Sequence, residues 1–194
     1  EWVRAAQGRW TPERPTREVK SEDGEAQNVP IPMTALGADL VRGGNDQMVI
    51  APVYETWYSP LVVYPGAPIP DGPPAPALIV STMTDGAQVG VDVIGIGASG
   101  FDSLTYSGVS AIAINNSESA GDMRDKSGRL KFRNVRSASY WKMREALDPV
   151  HGDGLALPPD SELLADLCAP RFKVTTAGVL LEDKAEIKAR LGRS

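Results

Sequence analysis

The chain has 194 residues, 42% of them hydrophobic, enough for one well-cored domain with an appendage. A formal net charge of −5 argues against a generally basic nucleic-acid coat, though not against a local basic face beside an acidic site. The single Cys168 excludes an internal disulfide framework and suits a reducing compartment, and no run of about 18 apolar residues is present to span a membrane.

Residues 1–12 read as a short helix with Trp2, Ala6 and Trp10 near one face, stopped by Pro12. Glu13 to Pro32 mixes charge, Pro and Gly without periodicity and reads as a linker. Residues 1–32 are therefore expected to lead in from something N-terminal, with the main domain over 33–194. Met33 to Asp39 is a strand signal ending in an acid, followed by the turn Arg42-Gly43-Gly44-Asn45-Asp46. Gln47 to Trp57, rich in β-branched and aromatic residues, completes a hairpin, and Pro60 to Tyr64 gives a third strand.

The prolines that close Pro65 to Pro76 can open a helix over Ala77 to Thr84. A fourth strand at Val89 to Ile94, a helix over Ser99 to Tyr106 and a fifth strand at Val109 to Ile114 follow. Three strands joined by short turns, then helix, strand, helix, strand, predict an α/β fold with a mixed sheet flanked by helices. Asn115 to Arg133 reads as loop and Val135 to Leu147 as an amphipathic helix. Acids in the first turn open a second helix over Leu163 to Ala169. Phe172 to Thr176 and Val179 to Glu182 pair about Ala177-Gly178, and Asp183 caps a last helix over Lys184 to Leu191.

Two readings compete for Val91-Asp92-Val93-Ile94-Gly95-Ile96-Gly97-Ala98-Ser99-Gly100. Gly95, Gly97 and Gly100 spell G-x-G-x-x-G, but a dinucleotide fold wants that motif after its first strand, with an acid about 20 residues on. Here three strands precede it and the following strand ends in Asn115-Asn116. The alternative places weight on Asp92. If the first strand lies centrally beside the fourth, Asp39 and Asp92 converge at one end of the sheet. Converging carboxylates bind a pair of hard divalent cations that activate water for phosphodiester hydrolysis, and repel one another without them. Against this, Asp39 reads equally as a turn residue and Asp92 as a strand-end acid capping a backbone turn. Asp46 shapes its own turn, Asp102 lies on a helix face, and Asp71 and Asp85 are loop acids. His151, the sole histidine, sits in a solvated Pro-Val-His-Gly-Asp-Gly loop. The run Arg124, Lys126, Arg129, Lys131, Arg133, Arg136 is either a solvated loop or a phosphate-backbone grip without base readout.

Five ordered blocks resemble the nuclease domain of phage terminase large subunits. They are Met33-Thr34-Ala35-Leu36-Gly37-Ala38-Asp39-Leu40 with Arg42-Gly43-Gly44-Asn45-Asp46, and Val91-Asp92-Val93-Ile94-Gly95-Ile96-Gly97 with Phe101-Asp102-Ser103-Leu104. Phe132-Arg133-Asn134-Val135-Arg136 runs into Tyr140-Trp141-Lys142-Met143-Arg144-Glu145 as a third. Leu157-Pro158-Pro159-Asp160 is the fourth, and Glu182-Asp183-Lys184-Ala185-Glu186 with Arg190-Leu191-Gly192-Arg193-Ser194 the fifth. The resemblance covers nearly the whole chain. It implies an RNase H-like, resolvase-related fold with a mixed sheet of about five main strands plus a C-terminal hairpin. It also implies an endonuclease that cuts concatemeric double-stranded DNA during viral genome packaging, in the host cytoplasm. Asp39 and Asp92 would be the first two acids holding two Mg²⁺ or Mn²⁺ ions, with Lys184 a further candidate for phosphate contact. The family's third acid follows Arg-Leu-Gly-Arg-Ser in a Ser-Pro-Asp element, so it is expected beyond Ser194 and the chain as given is expected to cut weakly or not at all. Implied partners are the terminase ATPase domain, the small terminase subunit and the portal. A non-catalytic RNase H-like domain docking on DNA or portal is the alternative.

Overall fold

The computed structural model describes residues 1–41, 46–67 and 74–192. The predicted turn over Arg42 to Asn45, the loop acid Asp71 and the terminal Arg193-Ser194 lie outside them. In chain order the elements are α1 (Trp2–Arg9), β1 (Thr16–Lys20), β2 (Ala26–Pro30), β3 (Ala35–Asp39), β4 (Gln47–Tyr54), β5 (Trp57–Tyr58), β6 (Val62–Pro65), α2 (Pro74–Thr82), β7 (Gln88–Asp92) and α3 (Gly97–Tyr106). After these come β8 (Ala111–Ile114), α4 (Val135–Ala146), α5 (Ser161–Cys168), β9 (Phe172–Thr175), β10 (Gly178–Leu181) and α6 (Lys184–Leu191). The chain forms two compact units: Trp10–Ile114 with Ala156–Pro158, and Glu1–Arg9 with Asn115–Leu155 and Pro159–Ser194.

The first of these, the sheet unit, is organised by β3. It pairs antiparallel with β4 and parallel with β7, which pairs parallel with β8, giving the path β5-β4-β3-β7-β8 with β6 added on β4. The first predicted strand is thus central and beside the fourth, as the convergence of Asp39 and Asp92 requires. The α/β class, the mixed sheet with flanking helices and the C-terminal hairpin are borne out. Strand alternation explains the core: Leu36 and Ala38 on β3, Met48 and Ile50 on β4, and Val89 and Val91 on β7 are buried. Ile79 of α2 and Leu104 of α3 join that cluster with no exposed surface. A second cluster gathers Ile31, Trp57 and Ala156, with Trp10 stacked on Trp57 at 5.8 Å between ring centroids. Trp10 therefore belongs to this unit and not to the face of α1, which buries Val3 and Ala6 instead.

One segment departs from its sequence reading. Glu13 to Pro32 holds an antiparallel hairpin of β1 and β2, registered from Thr16 opposite Pro30 to Lys20 opposite Ala26. It carries no apolar alternation because β1 is exposed throughout and β2 nearly so, leaving no buried face to write a period-2 pattern. The hairpin is tied down at its base by Ile31 N–H donating to the Pro15 carbonyl at 3.0 Å and by Arg17 paired with Glu55 at 3.0 Å.

In the second unit α4 packs on β10, and the antiparallel pair β9–β10 gains a short third member. Val179 N–H donates to the Lys131 carbonyl at 2.7 Å and Arg133 N–H to the Val179 carbonyl at 2.9 Å. Phe132 between them is buried with Val179, Ala138 and Ala120. Helix starts follow their caps. Asn134 Oδ1 accepts from Ser137 N–H, Asp160 Oδ1 accepts from Glu162 and Leu163, and Asp183 with Glu186 forms a reciprocal capping box.

Candidate functional site

The two acids singled out in the sequence close the two central parallel strands. The β3–β7 register runs from Ala35 opposite Gln88 to Ala38 opposite Val91, and the next residue on each strand is Asp39 and Asp92. Neighbouring strands lie about 4.8 Å apart, so the backbones bearing these carboxylates are close enough for one pair of cations about 3.5–4 Å apart. Alternation sets both on the face opposite Leu36, Ala38, Val89 and Val91. That face carries Gly37 and Gly90 one rung-pair earlier, directly opposite each other. Glycine at 90 has a packing reason: a Cβ there would stand 2.9 Å from Ile114 Cδ1.

Asp92 also does what the turn-capping alternative asked of it. Its Oδ1 accepts the backbone N–H of Ile94 at 3.0 Å, shaping the turn that leads from β7 to α3. Gly95 supplies the left-handed step of that turn, with φ +70°. Gly97 and Gly100 are not arranged as a phosphate cradle. A Cβ at 97 would overlap the Asp92 carbonyl oxygen and one at 100 would overlap Leu40 Cδ1. Two of the three glycines thus let α3 sit against strand ends, and the space at Gly97 is filled by the Asp92 carbonyl.

The donor set at the strand ends is two carboxylates, hard oxygen ligands of the kind Mg²⁺ and Mn²⁺ take, with no imidazole or thiolate among them. Among the described residues no cluster of three or more His, Cys, Asp or Glu side chains is disposed to hold a metal. The loop acid Asp85 is occupied in its turn. Asp85 Oδ2 accepts Met33 N–H and the Thr84 hydroxyl, both at 2.9 Å. Met33's amide first, then Thr84 and Arg14, hold its carboxyl below the usual range. Asp102 is exposed on α3, and His151 is 82% exposed in its loop, as read from the sequence.

The basic residues belong to the second unit, and the structure separates them by circumstance. Lys126 Nζ pairs with Asp153 at 3.1 Å and also donates to the His151 carbonyl. Arg124 pairs with Asp122 at 3.5 Å. Arg136 donates to the Glu182 carbonyl at 2.6 Å and lies over the Tyr140 ring, a structural engagement. Arg129, Lys131, Arg133 and Lys184 are exposed. Asp125 shapes the loop beneath them, its Oδ1 accepting from Arg129 and Leu130 N–H at 2.8 Å each and its Oδ2 from the Ser127 hydroxyl at 2.6 Å. Those bonds, Ser127's first, lower its carboxyl pKa.

Sequence reasoning missed the pair Glu182–Arg190. Arg190 Nε and Nη2 reach the two Glu182 oxygens at 3.0 and 2.5 Å, and Nη2 donates to the Ala169 carbonyl as well. The Arg190 guanidinium, helped by Arg171 N–H, pulls the Glu182 carboxyl down to about 2. The i, i+8 separation, spanning a cap and a helix, left no local signal.

No family model matches the chain, and no curated protein matches it. Solved structures do, and the fold they share with it is that of the nuclease domains of phage large terminase subunits. The nuclease domain of the large terminase subunit gp2 of bacterial virus Sf6 superposes with a TM-score of 0.61 at 20% identity, over 98% of this chain and 89% of that one. A calcium-bound form of gp2c from bacteriophage Sf6 gives 0.65 at 21% identity, with the same shares covered. The large terminase nuclease of thermophilic phage G20c, with bound cobalt, gives 0.51 at 16% identity over 94% of this chain and 89% of that one. At these identities the likeness is one of fold.

Proposed function

We propose that this chain is the metal-dependent endonuclease domain of a viral DNA-packaging terminase, acting on concatemeric double-stranded DNA. The observation that carries the reading is Asp39 and Asp92 ending adjacent parallel strands at the centre of a sheet whose fold is shared with terminase nucleases. Similar nuclease domains have been solved with calcium and with cobalt, which supports a divalent-cation site in this fold.

Asp39 and Asp92 would hold two Mg²⁺ or Mn²⁺ ions. Such ions supply an activated water and neutralise charge on the scissile phosphate, so no protein nucleophile is required. The chain's own residues do the rest. The two carboxylates fix the cations against a sheet face kept low by Gly37 and Gly90. Arg129, Lys131 and Arg133, with Lys184, meet backbone phosphates without reading bases, while Lys126 and Arg124 contribute less because Asp153 and Asp122 already engage them. The terminase ATPase domain, the small terminase subunit and the portal would be its partners, in the host cytoplasm. Among the described residues no helix is long and apolar enough to cross a membrane.

The test is cleavage of supercoiled plasmid with Mn²⁺. Asp39→Ala and Asp92→Ala are each expected to lower the rate on the order of 100-fold. Variants that cut as well as the parent would sink the assignment. The hydrogen bond from Ile94 N–H to Asp92 Oδ1 favours a second reading, a DNA- or portal-docking domain in which Asp92 is a turn cap. On that reading Mn²⁺ would leave the melting temperature unchanged.

A further inference from the structure

The turn after β7 and the first turn of α3 touch the ends of both acid-bearing strands. Asp92 is held at two points, its Oδ1 by Ile94 N–H at 3.0 Å and its carbonyl oxygen against Gly97, where a Cβ would overlap it. Gly100, on the same helix face three residues on, sits against Leu40, the neighbour of Asp39, and a Cβ there would overlap Leu40 Cδ1. Neither glycine has a positive φ, so neither is needed for backbone freedom; both are needed for the missing side chain. Leu40 is itself buried in the sheet core, so the contact with Gly100 is part of the packed interior and not a brush with a surface side chain.

We propose that Gly97 and Gly100 are positioning residues for the acidic pair. The glycine-backed seat of α3 sets where the ends of β3 and β7 stand, and so how tightly Asp39 and Asp92 hold divalent cations. This rests on the metal reading proposed above. The G-x-G-x-x-G string is then one glycine for a turn and two for close packing, with no phosphate in its role. At position 97 the neighbour is a backbone carbonyl, which can give way only by moving Asp92 or the helix. At 100 the neighbour is the end of a side chain, which can swing.

Manganese titration of the full chain by calorimetry, paired with amide hydrogen exchange at Ile94 without metal, separates the seat from the metal. Gly97→Ala is expected to weaken Mn²⁺ binding about tenfold or more and to speed exchange at Ile94. Gly100→Ala is expected to weaken binding less, and adding Leu40→Ala should restore it by removing the atoms the new methyl meets. Gly108→Ala is the control: it has φ +78° with no neighbour within 4 Å, so it costs stability at the far end of α3 without pushing on either strand. It should bind Mn²⁺ as the parent does. The proposal is overturned if Gly97→Ala binds like the parent, or if Gly108→Ala weakens binding equally. Should Gly97→Ala fail to fold, absence of Leu40→Ala rescue in the Gly100→Ala chain overturns it instead. A parent that binds no Mn²⁺ sinks the metal reading, and Ile94 exchange in Gly97→Ala then decides the seat alone.

Discussion

The two units are held together by different physics. In the sheet unit one cluster of twelve buried apolar residues spans β3, β4, β7, α2 and α3, so most of its cohesion is area removed from water. In the second unit a smaller cluster joins Ala120, Phe132, Ala138 and Val179, with Val3, Ala6, Leu147, Leu155, Leu181 and Ile187 also buried, and polar side chains on backbone groups add to it. The Ser137 hydroxyl donates to Asn134 Oδ1 at 2.7 Å and accepts Leu181 N–H at 3.0 Å. Glu145 Oε1 accepts from Lys126 N–H and from the Trp141 indole. Arg144 lies over both the Trp2 and Trp141 rings. A core insensitive to salt and pH carries the acids, and a polar, titratable framework carries the basic residues.

That contrast can be broken or sharpened by substitution. The largest expected stability effect is in the sheet core: Leu36→Ala, at 1% exposure, should cost about 2–5 kcal/mol, read from urea unfolding. In the polar unit the counterpart is Ser137→Ala, which removes a hydroxyl and strands a buried N–H. It should cost about 1–3 kcal/mol, with loss of exchange protection concentrated at Leu181. Next, Arg129→Ala, Lys131→Ala and Arg133→Ala should each lower the salt-dependence slope of metal-free DNA binding by about one. Lys126→Ala should lower it less, since Asp153 already holds that ammonium.

The smallest effect is the response to acid. Glu182 has its folded pKa depressed to about 2 from 4.5, so its contribution is full above pH 4.5 and fades as pH falls toward 2. Melting temperature should decline through that window. In Glu182→Gln the decline should be shallower and the starting value at neutral pH lower. An equally steep decline in the variant would remove Glu182 from the account.

Legibility followed the same division. β3, β4 and β7 were readable because short runs of apolar and β-branched residues suit buried strands, as in Gln47 to Tyr54, where Met48 and Ile50 are buried and Val49 and Ala51 half-buried. Caps were readable because they are local: Asp160 and Asp183 satisfy amides two or three residues on. The β1–β2 hairpin was not, since strands exposed on both faces leave composition free. Nor was the seating of Phe132 beside Val179, or the hold of Arg190 on Glu182 and Ala169, because each joins residues from different elements and rewards no spacing.

From the chain alone one could read most of the strands and helices of the two units, save the β1–β2 hairpin, and that Asp39 and Asp92 end strands. Short-range sterics, capping bonds and one-sided burial are enough for that. Only the tertiary structure decided that β3 lies between β4 and β7, and so that the two acids stand on neighbouring strands. It also decided that Gly97 and Gly100 serve packing against Asp92 and Leu40, because a glycine's reason is the atom pressed against it, and that atom comes from elsewhere in the fold.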